Sequence, residues 1–293
     1  MGIGPSRGGT ALLGVVPVEE RLCCRGAPGG GRSRVAVAYT ADSGSSWSPS
    51  KLPAGFLAVG SLSCPSTSDC VAGGDAALDR AAIAYTTDGG SSWSDGGLPA
   101  GWSVVSSLSC ASTSDCVALG DNDNDKSVAA GFSTDGGKSW SEGALPAELS
   151  DPLSQGAPGS VSCPSTSDCV VVVNQIVTGR DDVGVAFTTD GGSSWSEGTL
   201  PLGLAELDGV SCLSRTDCVA VGAAGAQGTR AVAAALFTTD GGSSWSAGTL
   251  PVGLAPFSSV SCPSATNCAA VGFRAPGIGN TAAFSTDGGE SWK

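Results

Sequence analysis

One eight-residue pattern, Ser/Thr-x-Asp-x-Gly-x-x-Trp, returns six times along the 293 residues and constrains the fold more than anything else in the chain. It occurs at Thr40-Asp42-Gly44-Trp47, Thr86-Asp88-Gly90-Trp93, Ser133-Asp135-Gly137-Trp140, Thr188-Asp190-Gly192-Trp195, Thr238-Asp240-Gly242-Trp245 and Ser285-Asp287-Gly289-Trp292. The tryptophans are 46, 47, 55, 50 and 47 residues apart, about the length of one four-stranded propeller blade. Each repeat reads as four short strands: LSC or VSC, then a run such as CVAVG, then one such as AAALFTTD, then the segment from Trp to a recurrent Leu-Pro. The breakers between them are Pro-Ser-Thr-Ser-Asp, a Gly-rich variable stretch and Asp-Gly-Gly, which suit a β-meander. The expected fold is all-β, a single six-bladed β-propeller over residues 1–293. A degenerate first repeat spans about 1–53, and the others about 54–99, 100–146, 147–201, 202–251 and 252–293.

The pattern resembles the Asp-box, or BNR, repeat found in sialidases, sortilin-type receptors and photosystem II assembly factors. Physical reasons support a structural role. The Asp carboxylate accepts turn N–H groups, Gly takes positive φ, and Trp buries a large ring against neighbouring strands. The resemblance likewise implies boxes away from any active site, so Asp42, Asp88, Asp135, Asp190, Asp240 and Asp287 are read as folding devices together with Trp47, Trp93, Trp140, Trp195, Trp245 and Trp292.

Ten of the 12 cysteines fall in C-x5-C pairs around a short polar loop: Cys64/Cys70, Cys110/Cys116, Cys163/Cys169, Cys212/Cys218 and Cys262/Cys268. With no His in the chain, zinc sites that mix the two ligands are excluded, and cysteine-only sites favour C-x2-C spacing. Five hairpin disulfides are expected, and with them an extracellular or cell-surface location. Residues 1–18 show no basic-then-apolar-then-small order of a signal peptide. The expected ring closure uses residues near 9–13 as the missing fourth strand of the last repeat, the alternative being that the chain is a fragment of a longer protein, while Gly14-Val15-Val16-Pro17 takes the place of GVSCP in the first.

Loops of a meander alternate between the two ends of the strands, so the cysteine loops and boxes share one face and the variable loops the other. Trp to the next first Cys is 17 residues in four of five cases and 23 between Trp140 and Cys163. Second Cys to box Asp varies from 18 to 22. Function therefore belongs on the variable face. Five basic residues sit there near the start of strand three, Arg34, Arg80, Lys126, Arg180 and Arg230, a candidate ring for a carboxylate or sulfate that Asp79, Asp125, Asp181 and Asp182 partly neutralise. Asp121, Asp123 and Asp125 offer alternate carboxylates like the first half of a calcium loop, but the twelfth position is Phe132 rather than Glu. Calcium is thus a weak candidate and no other cofactor is expected. Trp102 aligns with Phe56, Leu204 and Leu254 and reads as a packing residue.

A net charge of -13 disfavours nucleic acid, and no apolar run reaches the ~20 residues that span a bilayer. The likeness to sialidases would imply a Tyr nucleophile, three Arg clamps and an F/Y-R-I-P motif. That motif is missing, and Tyr39 and Tyr85 occupy the pre-box core position held elsewhere by Phe132, Phe187, Phe237 and Phe284. Without His, a Ser-His-Asp triad is excluded. A two-carboxylate glycosidase drawn from Asp75, Asp79, Asp151, Asp181, Asp182, Glu206 and Asp208 survives, with nothing to select a pair. The cysteine-stapled repeat is also similar to propeller modules of the photosystem II assembly-factor type, which implies protein binding rather than catalysis. The leading expectation is a monomeric, non-catalytic binding or scaffold module for a protein or glycan. A sialidase-like glycoside hydrolase is the alternative and a purely structural surface protein the third reading.

Overall fold

The computed structural model describes residues 12–14, 37–40, 42, 45–77, 80–122, 127–150, 157–177, 180–225, 231–272 and 280–293, without the side chains of 12–14, 157, 175–177 and 180–182. The described residues form 22 strands and no helix. The strands fall into six antiparallel sheets, one for each box, and together make a six-bladed β-propeller. Blade five is representative: Leu204–Cys212, Cys218–Ala224, Val232–Thr238 and Ser246–Ala247 follow one another in space as in sequence.

Within a blade, the box makes the tight turn between the third and fourth strands. In blade two, Asp88 Oδ1 accepts the Ser92 N–H at 2.9 Å and the Thr86 hydroxyl at 2.8 Å, while Oδ2 accepts the Ser92 hydroxyl at 2.5 Å. The same set recurs around Asp190 and Asp240. Hydrogen bonds to the charged form favour it. The Ser92 hydroxyl leads those that hold Asp88 down at about 2, and the Ser291 hydroxyl does the same for Asp287.

The cysteines close within their own hairpins, at the turn between the first two strands. Cys64 bonds Cys70, Cys110 bonds Cys116, Cys163 bonds Cys169, Cys212 bonds Cys218 and Cys262 bonds Cys268, with Cα atoms 3.9 to 4.1 Å apart. The second cysteine of each pair opens a second strand, where Cys70, Cys116, Cys169, Cys218 and Cys268 are all buried. The stapled loop then supports the box: Gly89, Gly136, Gly191, Gly241 and Gly288 each donate their N–H to a carbonyl of the cysteine loop in the same blade, at 2.8 to 2.9 Å. Cysteine loops and boxes therefore share one face.

Blades are joined by two devices absent from the sequence reading. The first is a serine ladder where first strands of successive blades meet, the line on which the blades converge. Ser61 and Ser63 hydroxyls accept the N–H groups of Leu108 and Cys110, Ser107 and Ser109 those of Val161 and Cys163, Ser162 that of Cys212, and Ser211 that of Cys262. The second is an outer clasp. At four seams the residue four past one Trp forms a parallel bridge to the next box: Gly97 with Ser139, Ala144 with Ser194, Thr199 with Ser244, and Thr249 with Ser291. The incoming Trp lies over the second and third strands of the preceding blade. Trp195 packs with Val117 and Leu119, Trp245 with Val170 and Val172, and Trp292 with Val219 and Val221. Its indole N–H donates to a box carbonyl, Gly137, Gly192, Gly242 or Gly289, at 3.0 to 3.1 Å.

That carbonyl comes so close that the residue three past the preceding Trp has no room for a Cβ, and it is Gly at these four seams: Gly96, Gly143, Gly198 and Gly248. Blade one has Ser50 there. Its hydroxyl donates to the Ser91 carbonyl at 3.3 Å, and the buried Trp93 indole N–H is left without a partner.

The two ends differ from expectation. Leu12–Gly14 pairs with Val37–Thr40 in the first sheet, the place that second strands take in other blades, so it does not supply the fourth strand of blade six. Lys293 itself starts that fourth strand, exchanging both backbone hydrogen bonds with Phe284 at 2.9 Å, as Ser246 pairs with Phe237.

Candidate functional site

Opposite the box face, the chain turns from the fourth strand of one blade to the first strand of the next through Leu-Pro-x-Gly. The glycines Gly55, Gly101, Gly203 and Gly253 have φ between 88° and 117°, a region that side chains rarely adopt. This turn leaves the x side chain free in solvent, and in two repeats it is a sizeable hydrophobe: Leu202 and Val252 are fully exposed. Ala233 N–H donates to the Leu254 carbonyl at 3.2 Å, which brings the half-exposed Val232 beside the Val252 turn.

Beneath the blade-four turn lies an open cavity of about 460 Å³. It is lined by Val183, Gly184 and Glu197 of blade four and by the backbone and side chains of the turn from Leu200 to Leu204. The volume falls in the range of small-ligand sites. Glu197, in the short fourth strand and exposed, is the one carboxylate among its described lining residues. The extra residues between Trp140 and Cys163 bear on this blade from its other side, where buried Leu149 fills the space left by Gly184.

A second feature lies on the first strand of blade five. Along Leu204–Cys212, Leu207 is fully buried while Glu206 is exposed and Asp208 half-buried. The strand is irregular on both sides of Leu207. There the Asn174 side chain of blade four clamps it, Oδ1 accepting the Leu207 N–H at 2.8 Å and Nδ2 donating to its carbonyl at 3.0 Å. Burial, with the Glu206 charge added, pushes Asp208 up to about 6. The equivalent residues four before the first Cys are Gly60, Ser106, Gly159 and Ser258, so blade five alone of blades two to six places a carboxylate at this level. The sequence put Glu206 and Asp208 among seven acids; the structure places these two on either side of Leu207, where Asn174 clamps the strand.

The other candidates are scattered. Arg80 opens the third strand of blade two and is exposed; Arg180 opens that of blade four. Arg34, Lys126 and Arg230 lie outside the described residues, as do Asp123 and Asp125. Asp121 sits within Cys116–Asn122, opposite Val128. No group of three metal-ligating side chains occurs among the described residues. The paired cysteines are staples. Cys70 and Cys268, 2% and 3% exposed, are buried on the box side with their sulfurs bonded to Cys64 and Cys262, so neither presents a thiol to a ligand. The same holds for Cys116, Cys169 and Cys218. Tyr85 packs into the core between blades two and three, with the Lys138 ammonium 6.0 Å from its ring centre. Trp102 is buried over Gly120 and Gly131, as its alignment with Phe56 and Leu204 anticipates.

No curated protein matches the chain in sequence. Among solved structures, the GH74 enzyme of Niastella koreensis is similar with a TM-score of 0.63 and 16% identity over 88% of this chain and 42% of its own. A Hadza microbial sialidase matches with 0.52 and 15% over 88% and 65%, and the fungal lectin of Aleuria aurantia, described as a six-bladed β-propeller with a novel mode of fucose recognition, with 0.52 and 11% over 82% and 78%. The chain thus spans less than half the length of the GH74 enzyme, and at these identities the likeness is one of fold. No helix among the described residues is long and apolar enough to cross a membrane. In sequence, the BNR repeat-like domain matches residues 49–202, 154 of the 293, and the chain belongs to that family.

Proposed function

We propose that this propeller is a non-catalytic binding or scaffold module that takes a protein or glycan partner on its variable face, working as a monomer outside the reducing cytosol. The observation that carries the reading is the cavity under the Leu200–Leu204 turn, with Leu202 in its lining held out in solvent and Val252 exposed on the corresponding turn of the next repeat. A fully exposed aliphatic side chain contributes nothing to folding, and an exposed apolar group at the mouth of a cavity suits a contact surface. The fold similarity to a fungal fucose lectin supports a glycan as one partner class. Five disulfides support the compartment.

The test is a glycan array run beside a peptide array, with the unaltered protein and with the double variant Leu202→Asp and Val252→Asp. Because both side chains are exposed, the variant keeps the Tm, and binding on either array should fall at least tenfold. Binding that survives the double variant places the contact surface elsewhere and refutes the assignment.

One observation favours the second reading, a glycoside hydrolase. Glu206 and Asp208 are two neighbouring carboxyl groups, one exposed and one held up at about 6, a contrast that suits an acid and its ionised partner. Hydrolysis of a sialoside or neutral aryl glycoside panel by the purified protein, lost in Asp208→Asn, would establish it. Absence of turnover across the panel leaves the binding module.

A further inference from the structure

We infer that the cavity under the Leu200–Leu204 turn receives a cationic side chain, the lysine or arginine of a basic segment in a partner protein, with its aliphatic stem against Val183 and Leu204 and its charged end at Glu197. The inference rests on the binding-module reading and narrows the partner to a basic peptide. The molecule shows one seam earlier what such a place holds. There the counterparts of Val183 and Leu200 are Val128, seven residues before its box Asp, and Leu145, one before its Pro. Leu149, supplied by the extra residues between Trp140 and Cys163, is buried in one cluster with both. The stretch from Trp195 to Cys212 lacks those extra residues. Val183, Leu200 and Leu204 still belong to the core between blades four and five, but here they line an open cavity. An aliphatic chain fits this kind of place, and at the blade-four turn a partner supplies it.

Charge selects the occupant further. Glu197 is the one charged residue among the described lining residues, is exposed, and makes no hydrogen bond or ion pair among the described residues. The next charged residue along the chain is the exposed Glu206, with no Lys or Arg between. Immediately before Val183, the run Arg180-Asp181-Asp182 also sums to a negative charge, and the whole chain carries -13. An acidic peptide or anionic sugar is repelled from such a mouth, and a neutral ligand leaves the Glu197 charge unmatched. A lysine or arginine meets both demands, because its methylene stem packs on aliphatic surface while its charged head stays at the wet rim. Leu202, fully exposed in the same turn, offers a contact to an apolar residue beside the cation.

The test titrates the whole chain at low ionic strength with two fluorescein-labelled peptides, read by fluorescence anisotropy. One is Ala-Ala-Lys-Leu-Ala-Ala amide; in the other, norleucine keeps the stem of the lysine without its ammonium. The lysine peptide should bind ~3-fold more tightly or better, the size expected of an exposed ion pair. Glu197→Gln should erase that preference at an unchanged Tm, since the side chain is exposed. Glu142→Gln removes an exposed carboxylate from the same position of blade three, where Leu149 fills the seam, and should leave the preference intact. No binding of the lysine peptide, or equal binding of the two, overturns the inference. An equal loss of preference in Glu142→Gln also overturns it, because the attraction then belongs to the acidic surface at large. The underlying reading fails separately. Glycan binding that is lost in the Leu202→Asp and Val252→Asp double variant, without any lysine preference, overturns the cationic occupant and leaves the binding module standing, whereas array binding that survives the double variant removes the contact surface itself.

Discussion

Replacing Asp208 by Asn should stabilise the protein, and only above acidic pH. Burial and the Glu206 charge raise the Asp208 carboxyl from its ordinary 3.8 to about 6. A folded-state value above the unfolded one means that the folded chain holds the proton more tightly, so ionisation costs stability. Below 3.8 the carboxyl is neutral in both states and the cost is absent. It grows as pH rises from 3.8 to about 6 and stays constant above that. Two pH units correspond to ~2.7 kcal/mol. Asp208 is only half-buried and water screens its charge, so about 1 kcal/mol is the expected cost. Asn keeps the shape, removes the charge and should recover about 1 kcal/mol at pH 7.5 while leaving stability at pH 3.5 unchanged. Urea unfolding of both proteins at the two pH values measures this, and Glu206→Gln should recover a smaller part through the Coulomb contribution alone. Equal stability of wild type and Asp208→Asn at pH 7.5, or a gain of the same size at pH 3.5, would refute the placement of this carboxylate.

Two further outcomes test the architecture. Gly198→Ala drives a methyl into the Gly242 carbonyl that accepts the Trp245 indole, so it should destabilise by about 1–3 kcal/mol, read as a fall in Tm; a wild-type Tm would mean that the seam has slack. Asp190→Ala removes the acceptor for the Ser194 N–H and for the Thr188 and Ser194 hydroxyls and should cost about 1 kcal/mol or more. Since hydrogen bonds from Ser194 hold the Asp190 carboxyl below its ordinary value, its contribution is present above 3.8 and fades as pH falls below that. The variant's deficit should therefore shrink in acid, and a deficit independent of pH would contradict the ionised role.

The fold was legible because a β-meander repeated six times writes each local turn six times. Asp88 and Asp190 accept the hydrogen bonds that the box pattern requires, and the C-x5-C spacing closes within each hairpin, as Cys64 with Cys70 and Cys262 with Cys268, so both depend only on residues a few positions apart. The seams were not legible, because their chemistry joins residues about 47 positions apart. Ser63 and Ser109 look like ordinary polar strand residues until the next blade presents an N–H, and Gly143 looks like a turn residue until the Gly192 carbonyl lies against it. A one-letter departure there, Ser50 for Gly, explains the unpaired Trp93 indole and has no meaning within its own repeat. The termini failed for a related reason: residues 9–13 were assigned by what the ring lacked, whereas backbone pairing of Leu12 and Leu13 with Thr40 and Tyr39 decided the place of the described part. The candidate site was legible as a face but not as residues, since the half-burial of Asp208 beside Glu206 depends on how its strand packs and not on residue type.

The seam chemistry also explains where variation is allowed. On the box side and through the blade interfaces, each position answers to two partners at once. Gly192 lies against Val117 and Phe132 of the preceding blade, and its carbonyl accepts its own blade's Trp195 indole. A side chain there must satisfy both, which leaves Gly, Ser, Val and Trp with little freedom. The Leu-Pro-x-Gly turns answer to one constraint, the positive φ of Gly, and the x position answers to none: a Cβ at Gly203 or Gly253 would touch nothing, and the neighbouring Leu202 and Val252 are wholly in water. A solvent-exposed Leu is an unfavoured choice at such a place unless something covers it. The same reasoning applies to the face of blade six, where Val271 and Phe284 keep the residue types of buried positions while being exposed. The two surfaces differ in their precedents: the blade-six face carries the residue types that the molecule buries at its other seams, whereas the turns around Leu202 repeat no internal contact.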